Sequence, residues 1–358
     1  MFQDSAVGET GGKALAKLSV VSSEPDSALT VMLAMHDDAR SRVLVPRVLQ
    51  RLEAIATVLP VGPGSSFLAD PAVRAALPDV DVLLTGWGCP RIGPEVLDAA
   101  PKLQAILHAA GSVKAIVDPA AFDRGIQVSS AATANAQPVA EFTVAAIVLA
   151  GKRAFRLAAQ YRTERRKADP HGMPGSYGTT VGLLGASRIG KMVAERLREF
   201  DLEVLISDPY LTAHEAAALG AELVDNDALF GRSDILSVHA PLIPETVGLV
   251  DGRLLGLLKD GAVLINTARG KIIDADALLS ECVSGRIDAV LDVTDPEPLP
   301  PDSPLLDLPN VFVTPHVAGA VGNEIARLGE MAVSELERLV AGEPLRHSIT
   351  QAELGRLA

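Results

Sequence analysis

Short apolar runs recur along the chain, separated by stretches whose apolar positions fall at helical spacing. Leu29-Thr30-Val31-Met32-Leu33-Ala34-Met35 reads as a buried first strand, and 43–55 as an amphipathic helix. Further strands are predicted at 57–61, 80–85, 103–108 and 126–128. Runs of this length alternating with helical segments predict βαβ units and a parallel sheet. From Asn135 the pattern becomes one long helix to about Tyr161, ended by Pro170, Gly172, Pro174 and Gly175. A second βα series starts at Thr180-Val181-Gly182-Leu183-Leu184, with strands at 203–207, 221–224, 235–238, 262–266, 289–292 and 311–313. A last amphipathic helix over 321–339 has no strand after it and is expected to return over the first domain. No repeat of solenoid length is present. The pattern reads as two parallel-sheet domains joined by long helices.

Composition narrows this picture. A chain of 358 residues exceeds the usual size of one hydrophobic core, so two domains are expected. Aromatics make up only 3% of residues, so Ala, Val, Leu and Ile must fill the cores, as in sheets buried on both faces. The net charge of −13 leaves no basic excess to neutralise phosphates, which argues against a nucleic-acid partner. The run Arg162-Thr163-Glu164-Arg165-Arg166-Lys167 reads as a solvated helix end. Cys89 and Cys282 match no metal or redox spacing; no metal site and a reduced, cytoplasmic setting are expected. Residues 1–28 read as a flexible tail without a signal-peptide core, and no apolar run reaches membrane length.

The first chemical signal is Gly185-Ala186-Ser187-Arg188-Ile189-Gly190, which joins a predicted strand to a predicted helix. Gly185 permits a tight turn, and Gly190 lets the helix pack close to the sheet. The helix end, at Ser187, Arg188 and Ile189, then offers unpaired N–H groups to a pyrophosphate. Ser187 stands where this dinucleotide-binding pattern has its middle glycine; its Cβ takes space, while its hydroxyl can donate to a phosphate. Asp208 ends the next strand, where a carboxylate accepts both ribose hydroxyls and repels a 2′-phosphate; NAD is therefore expected over NADP. The bland alternative is a glycine turn followed by an aspartate capping the turn at Pro209.

Three further segments lie at strand ends: Ile265-Asn266-Thr267-Ala268-Arg269-Gly270, Leu291-Asp292-Val293-Thr294-Asp295-Pro296-Glu297-Pro298-Leu299, and Val313-Thr314-Pro315-His316-Val317-Ala318-Gly319. The carboxyl ends of strands in an open α/β sheet line the ligand crevice. An Arg, a Glu and a His there supply an anion clamp, a carboxylate partner and an acid/base. Together with Thr180-Val181-Gly182 and Val238-His239-Ala240-Pro241-Leu242, these segments resemble the D-isomer-specific 2-hydroxyacid dehydrogenase family over 102–319. The resemblance is to members of the glyoxylate/hydroxypyruvate reductase or phosphoglycerate dehydrogenase type.

The resemblance implies an α/β fold of two Rossmann-like or flavodoxin-like parallel-sheet domains with an active-site cleft between them. It implies a substrate domain built from 29–134 and the helix 321–346, around an NAD-binding domain at 135–320, with 347–358 as a tail. A homodimer built partly on the long interdomain helices is implied as well. Carried over by position, Arg269 would hold the substrate carboxylate and polarise its carbonyl. His316 would donate the proton in reduction, and Glu297 would hydrogen-bond it and favour its charged form. Asp292 would anchor the nicotinamide carboxamide, and His239, Pro241, Thr267, Ala268 and His316 would flank the cofactor. Taken singly, Arg269, Glu297 and His316 also read as a turn residue, a loop charge and a strand-end histidine.

On the substrate side, His108-Ala109-Ala110-Gly111-Ser112-Val113 is similar to the family's glycine loop, which would offer N–H groups of Gly111, Ser112 and Val113 to the substrate carboxylate. A plain strand-to-helix turn is the alternative. Thr85-Gly86-Trp87-Gly88-Cys89-Pro90-Arg91 departs from the Arg/Ser-rich stretch many members carry, which counts against phosphorylated acids. Trp87 would close an apolar wall over the substrate, or else serve the core or a dimer face. His36, His108, His171, His214 and His347 are read as structural. The expected activity is hydride transfer between NAD and a small 2-hydroxy or 2-keto acid, with glyoxylate or hydroxypyruvate favoured. Formate oxidation is disfavoured because formate enzymes usually carry Gln where Glu297 stands. A non-catalytic NAD-sensing scaffold or corepressor of the same fold is the alternative.

Overall fold

The computed structural model describes residues 28–59, 68–166 and 175–354. The expected N-terminal tail up to residue 27, Pro60 and Val61 of the second predicted strand, Lys167, Pro170, His171, Gly172, Pro174 and the chain beyond 354 lie outside them.

Thirteen strands are formed by the described residues: β1 (Leu29–Ala34), β2 (Ala56–Leu59), β3 (Val82–Thr85), β4 (Ala105–His108), β5 (Gln127–Ser130), β6 (Thr179–Leu184), β7 (Leu202–Ser207), β8 (Glu222–Leu223), β9 (Ile235–Val238), β10 (Val263–Asn266), β11 (Asp288–Leu291), β12 (Val311–Val313) and β13 (Ser348–Ile349). They make two sheets, in the orders β13-β5-β4-β3-β1-β2 and β12-β11-β10-β9-β6-β7-β8. All pairings are parallel except β13 with β5. The central strands β3, β4, β6, β9 and β10 are buried throughout, which is why they read as continuous apolar runs rather than alternating ones.

Each sheet changes direction of winding once. From β1 the chain moves outward to β2 and then crosses to β3; from β6 it moves out through β7 and β8 and then crosses to β9. Loops after the two strands at such a point diverge, and a crevice opens at their carboxyl ends. The helix Ala132–Gly151 follows β5 and leads out of the first sheet. The helix Ala326–Val340 returns to that sheet, where Leu328, Ala332, Val333 and Leu336 share a core with Val31, Leu33, Val82 and Leu107. Its outer flank is tied to the helix Pro46–Ile55 by Arg47–Glu330 and Arg51–Glu337 ion pairs.

Four expectations are corrected. The single helix from Asn135 to Tyr161 begins at Ala132 and is two helices, Ala132–Gly151 and Ala154–Glu164. Arg153 breaks it in a left-handed conformation (φ 52°), and its guanidinium reaches the Gly261 carbonyl and the buried Asp288, which also pairs with Arg156 at 3.0 Å. The last helix is preceded by a tight turn, Gly322–Ile325. The strand predicted at 126–128 runs on through Ser129 and Ser130, buried polar residues that hide it from an apolar pattern. The expected tail from 347 carries β13, whose pairing covers the open edge of β5, and a short helix, Gln351–Leu354, that buries Leu354.

Gly329 lets the returning helix approach so closely that a Cβ there would overlap the Val43 carbonyl oxygen. Gly329→Ala is expected to destabilise the first sheet by about 1–3 kcal/mol. The measurement is chemical denaturation, and an unchanged midpoint would remove the close approach from the account.

Candidate active site

The turn after β6 is shaped by contact with the neighbouring strand. Gly185 has φ +103°, and a Cβ there would lie 2.6 Å from the Ala240 amide nitrogen; at Gly190 it would overlap the Gly185 carbonyl oxygen. Both positions therefore require glycine, and the loop His239–Pro241 forms one wall of the turn. The helix Arg188–Leu197 starts here, and the amides of Arg188 and Ile189 lie in its first turn, where no intrahelical acceptor exists. Ser187 caps this helix, its Oγ accepting the Gly190 N–H at 3.4 Å, so its hydroxyl hydrogen stays free to donate. Arg188 is exposed, Ile189 half-buried and Gly190 buried.

Asp208, at the end of β7, accepts the Ala186 N–H at 2.7 Å and the Tyr210 N–H at 2.8 Å, one on each oxygen. Each oxygen keeps a lone pair for a ribose hydroxyl. His239 is fully buried against Ser237 Oγ at 2.9 Å, and burial pushes its pKa down to about 4, so it is neutral and holds its loop. A glycine turn without room for side chains, free helix-end amides and a placed carboxylate together fit a dinucleotide.

Three loops beside this turn carry the predicted polar set. Asn266 ends β10 and folds its loop back by accepting the Ala268 N–H and donating to the Arg269 carbonyl, both at 3.0 Å. Arg269 is mostly sheltered, and its guanidinium donates to the Ala268 carbonyl at 2.6 Å. Burial lowers its pKa, with partial compensation from the Glu297 carboxylate, but a guanidinium stays charged regardless. It makes no ion pair among the described residues, so a sheltered cation is left to meet an anion. Thr267 is buried and its hydroxyl bonds Thr143 at 2.9 Å; Thr143 also donates to Val139, so Thr267 is the donor.

His316 and Glu297 come together: Nδ1 and Oε1 are 2.6 Å apart, and both side chains are about half exposed. His316 is held at φ 57°, a strained value for a non-glycine residue. Its loop is gathered by Asp292, which is buried and accepts Thr314 Oγ1 at 2.6 Å and the amides of Val317 and Ala318 at 2.8 and 2.9 Å.

The first sheet supplies the opposite wall. Gly111 and Ser112 are half-buried after β4, whereas the Val113 side chain is part of the core, which leaves only its backbone for a ligand. Trp87, after β3, is 39% exposed, which excludes a core role. Sequence reasoning missed two residues that join the walls. Asn135 accepts the Ala320 N–H at 2.9 Å and lies against Gly111 and Gly319, and Lys114 reaches the Leu242 carbonyl at 3.4 Å. Asn135 was visible only as a polar residue at the start of an apolar helix. Lys114 had no signal at all.

The glycine turn, the acid after β7 and the Arg, Glu and His loops define a nucleotide-dependent enzyme-like cleft, and comparison with known proteins places it in a family. Residues 144–318 match the NAD binding domain of the D-isomer specific 2-hydroxyacid dehydrogenases. D-3-phosphoglycerate dehydrogenase of Mycobacterium leprae is 37% identical over 270 residues, 75% of this chain and 51% of the relative. The chain thus spans about half the length of that relative. Glyoxylate reductase of Thermofilum pendens is 37% identical over 259 residues, 71% of this chain and 76% of that one. The crystal structure of the TT0316 protein from Thermus thermophilus superposes with TM-score 0.69 at 30% identity, covering 90% of this chain and 100% of that chain. The chain belongs to the D-isomer specific 2-hydroxyacid dehydrogenase family. The two-sheet α/β fold and the NAD cofactor expected from the sequence agree with this.

Asp208→Ser removes the carboxylate charge that is expected to repel a 2′-phosphate. NADH affinity should fall about 10-fold while the preference over NADPH narrows, as read by fluorescence titration with both cofactors. An unchanged preference would remove Asp208 from cofactor selection.

Proposed function

We propose that the chain reduces a small 2-keto acid with NADH, or oxidises the matching D-2-hydroxy acid with NAD, in the cleft between the two sheets. The His316–Glu297 contact is the observation that carries this reading. With Nδ1 committed to Glu297, Nε2 is the ring nitrogen left to face a substrate oxygen. The nicotinamide, when bound, supplies or accepts the hydride at the substrate's C2. As the carbonyl carbon gains the hydride, His316 Nε2–H gives its proton to the carbonyl oxygen, and Glu297 stabilises the charged ring before that transfer. In oxidation the neutral ring takes the hydroxyl proton back.

Arg269 holds the substrate carboxylate with its planar fork and polarises the carbonyl. The amides of Gly111, Ser112 and Val113 form the second cradle for that carboxylate, and Trp87 stands over the rest of the substrate. Asp292, besides holding the His316 loop, presents the carboxylate for the nicotinamide amide. Ala268, Pro241 and Thr267 would flank the cofactor, and Ser187, Arg188 and Ile189 would hold its pyrophosphate. Glyoxylate and hydroxypyruvate fit better than phosphorylated acids, because Arg91, the cation of the β3 loop, is already paired with Asp118 at 2.8 Å. The substrate domain takes in 29–134 and 321–346, and the nucleotide domain 135–320.

His316→Ala is expected to lower kcat for 2-keto acid reduction by about 10²–10⁴-fold with NADH binding retained. Stopped-flow or steady-state NADH oxidation over a panel that includes 3-phosphohydroxypyruvate is the test. Clear NADH binding without turnover of any acid would leave the non-catalytic scaffold reading instead.

A homodimer through the helices Ala132–Gly151 and Ala154–Glu164 also belongs to the proposal. Leu149 is 43% and Tyr161 60% exposed, and the second helix has no buried residue. Leu149→Glu with Tyr161→Glu should shift the mass seen by light scattering from two chains to one; an unshifted mass would place the interface elsewhere. The setting is proposed as cytoplasmic, supported by two unpaired cysteines. Among the described residues no helix is long and apolar enough to cross a membrane.

A further inference from the structure

The first sheet has its own crevice, at the carboxyl ends of β1 and β3, where the chain reverses its winding. Two residues meet there. The His36 N–H, just past β1, donates to the Trp87 carbonyl, just past β3, at 2.9 Å. The imidazole lies over Gly88 (φ +84°), so closely that a Cβ at Gly88 would overlap the ring. Any side chain at residue 88 would evict the ring, so glycine seats it there. His36 is exposed, and its ring nitrogens have no hydrogen-bond partner among the described residues. The histidine of the neighbouring strand offers no substitute: His108 is buried, bonded to Thr85 Oγ1 at 2.8 Å, and pushed down to about 4 by burial.

From these positions we infer that His36 reads the substrate beyond its second carbon, donating to or accepting from a hydrogen-bonding group on C3, with Trp87 packed over the chain between. The inference rests on the substrate orientation given under Proposed function, in which the carboxylate lies on the Gly111–Val113 amides after β4. Strands β4 and β1 are two steps apart, about 10 Å. The His36 ring closes some of that distance by leaning onto the β3 loop. The remaining gap suits a three- or four-carbon acid. A two-carbon acid leaves His36 without a partner. The substrate class is therefore 2-keto or 2-hydroxy acids with a hydroxyl or carboxylate on the third carbon, hydroxypyruvate rather than glyoxylate or pyruvate.

The test uses the full chain and three acids: glyoxylate, pyruvate and hydroxypyruvate. In His36→Ala, the ratio of kcat/KM for hydroxypyruvate to that for pyruvate should fall about 10-fold, chiefly through KM. His36→Gln, which keeps a donor and an acceptor, should recover most of it. Gly88→Ala should reproduce the His36→Ala selectivity by displacing the ring. A parallel loss on all three acids would show that the ring only braces the loop, and no loss would place the substrate elsewhere; either overturns the inference. Trp87 is the sole tryptophan, so its fluorescence reads binding without turnover, with NAD and hydroxypyruvate together, where no hydride is available. A saturable quench that weakens about 10-fold in His36→Ala supports the site even if no acid is reduced, in which case only the catalytic reading fails. Turnover without any Trp87 response would leave catalysis standing and overturn the placement of this wall.

Discussion

The loop that carries His316 hangs on the buried carboxylate of Asp292. It lies just past β11 and collects three donors from the neighbouring loop, the Thr314 hydroxyl and the amides of Val317 and Ala318. Between them His316 is forced into a left-handed backbone conformation, which costs a non-glycine residue on the order of 1 kcal/mol. Bonds to an ionised acceptor are among the stronger ones available, and three of them outweigh that strain. The result is an imidazole aimed from a pinned loop onto Glu297. On the adjacent strand Asn266 has the same role, shaping the loop that carries Arg269.

Both sheets present the carboxyl ends of their parallel strands to this region, and the structure joins them at few points. The helix Ala132–Gly151 touches both walls: Asn135 at its start meets Gly111, Gly319 and Ala320, and Thr143 further along meets Thr267. Lys114 adds one long, exposed bond to the Leu242 carbonyl. Ala140, Ala146, Ile147 and Ala150 seat the same helix in the core of the second sheet, so it belongs with that wall and carries Asn135 to the first. His316 and the glycine turn both belong to loops of the second sheet, so their mutual geometry is set within one wall.

Much of the fold was legible because buried parallel strands write themselves as uninterrupted Val, Ile and Leu. The candidate site was legible for a related reason: its residues fall in the loops just after such strands, so locating a strand end locates a ligand-facing position. What escaped depended on partners distant in sequence. The helix break at Arg153 answers to Asp288 and Gly261, more than a hundred residues later. Strand β13 exists because β5 has an open edge, and two residues of pairing leave no periodic trace. His36 had no motif around it; only the neighbouring loop, with its glycine at residue 88, gives the ring a place. The Val113 side chain packs into the core, which leaves untouched a sequence reading that gave the position only a backbone N–H.

The antiparallel strand β13 bears on how the chain is made. The core of the first sheet draws Val31 and Leu33 from before the second sheet in the chain and Leu328, Val333, Leu336 and Leu345 from after it. The second sheet is contiguous from β6 to β12. During synthesis the nucleotide-binding unit can therefore close its core while the first sheet still lacks its covering helix and edge strand. The early strands must wait with apolar surface uncovered until the helix Ala326–Val340 and β13 have emerged, and that interval is the one most exposed to aggregation.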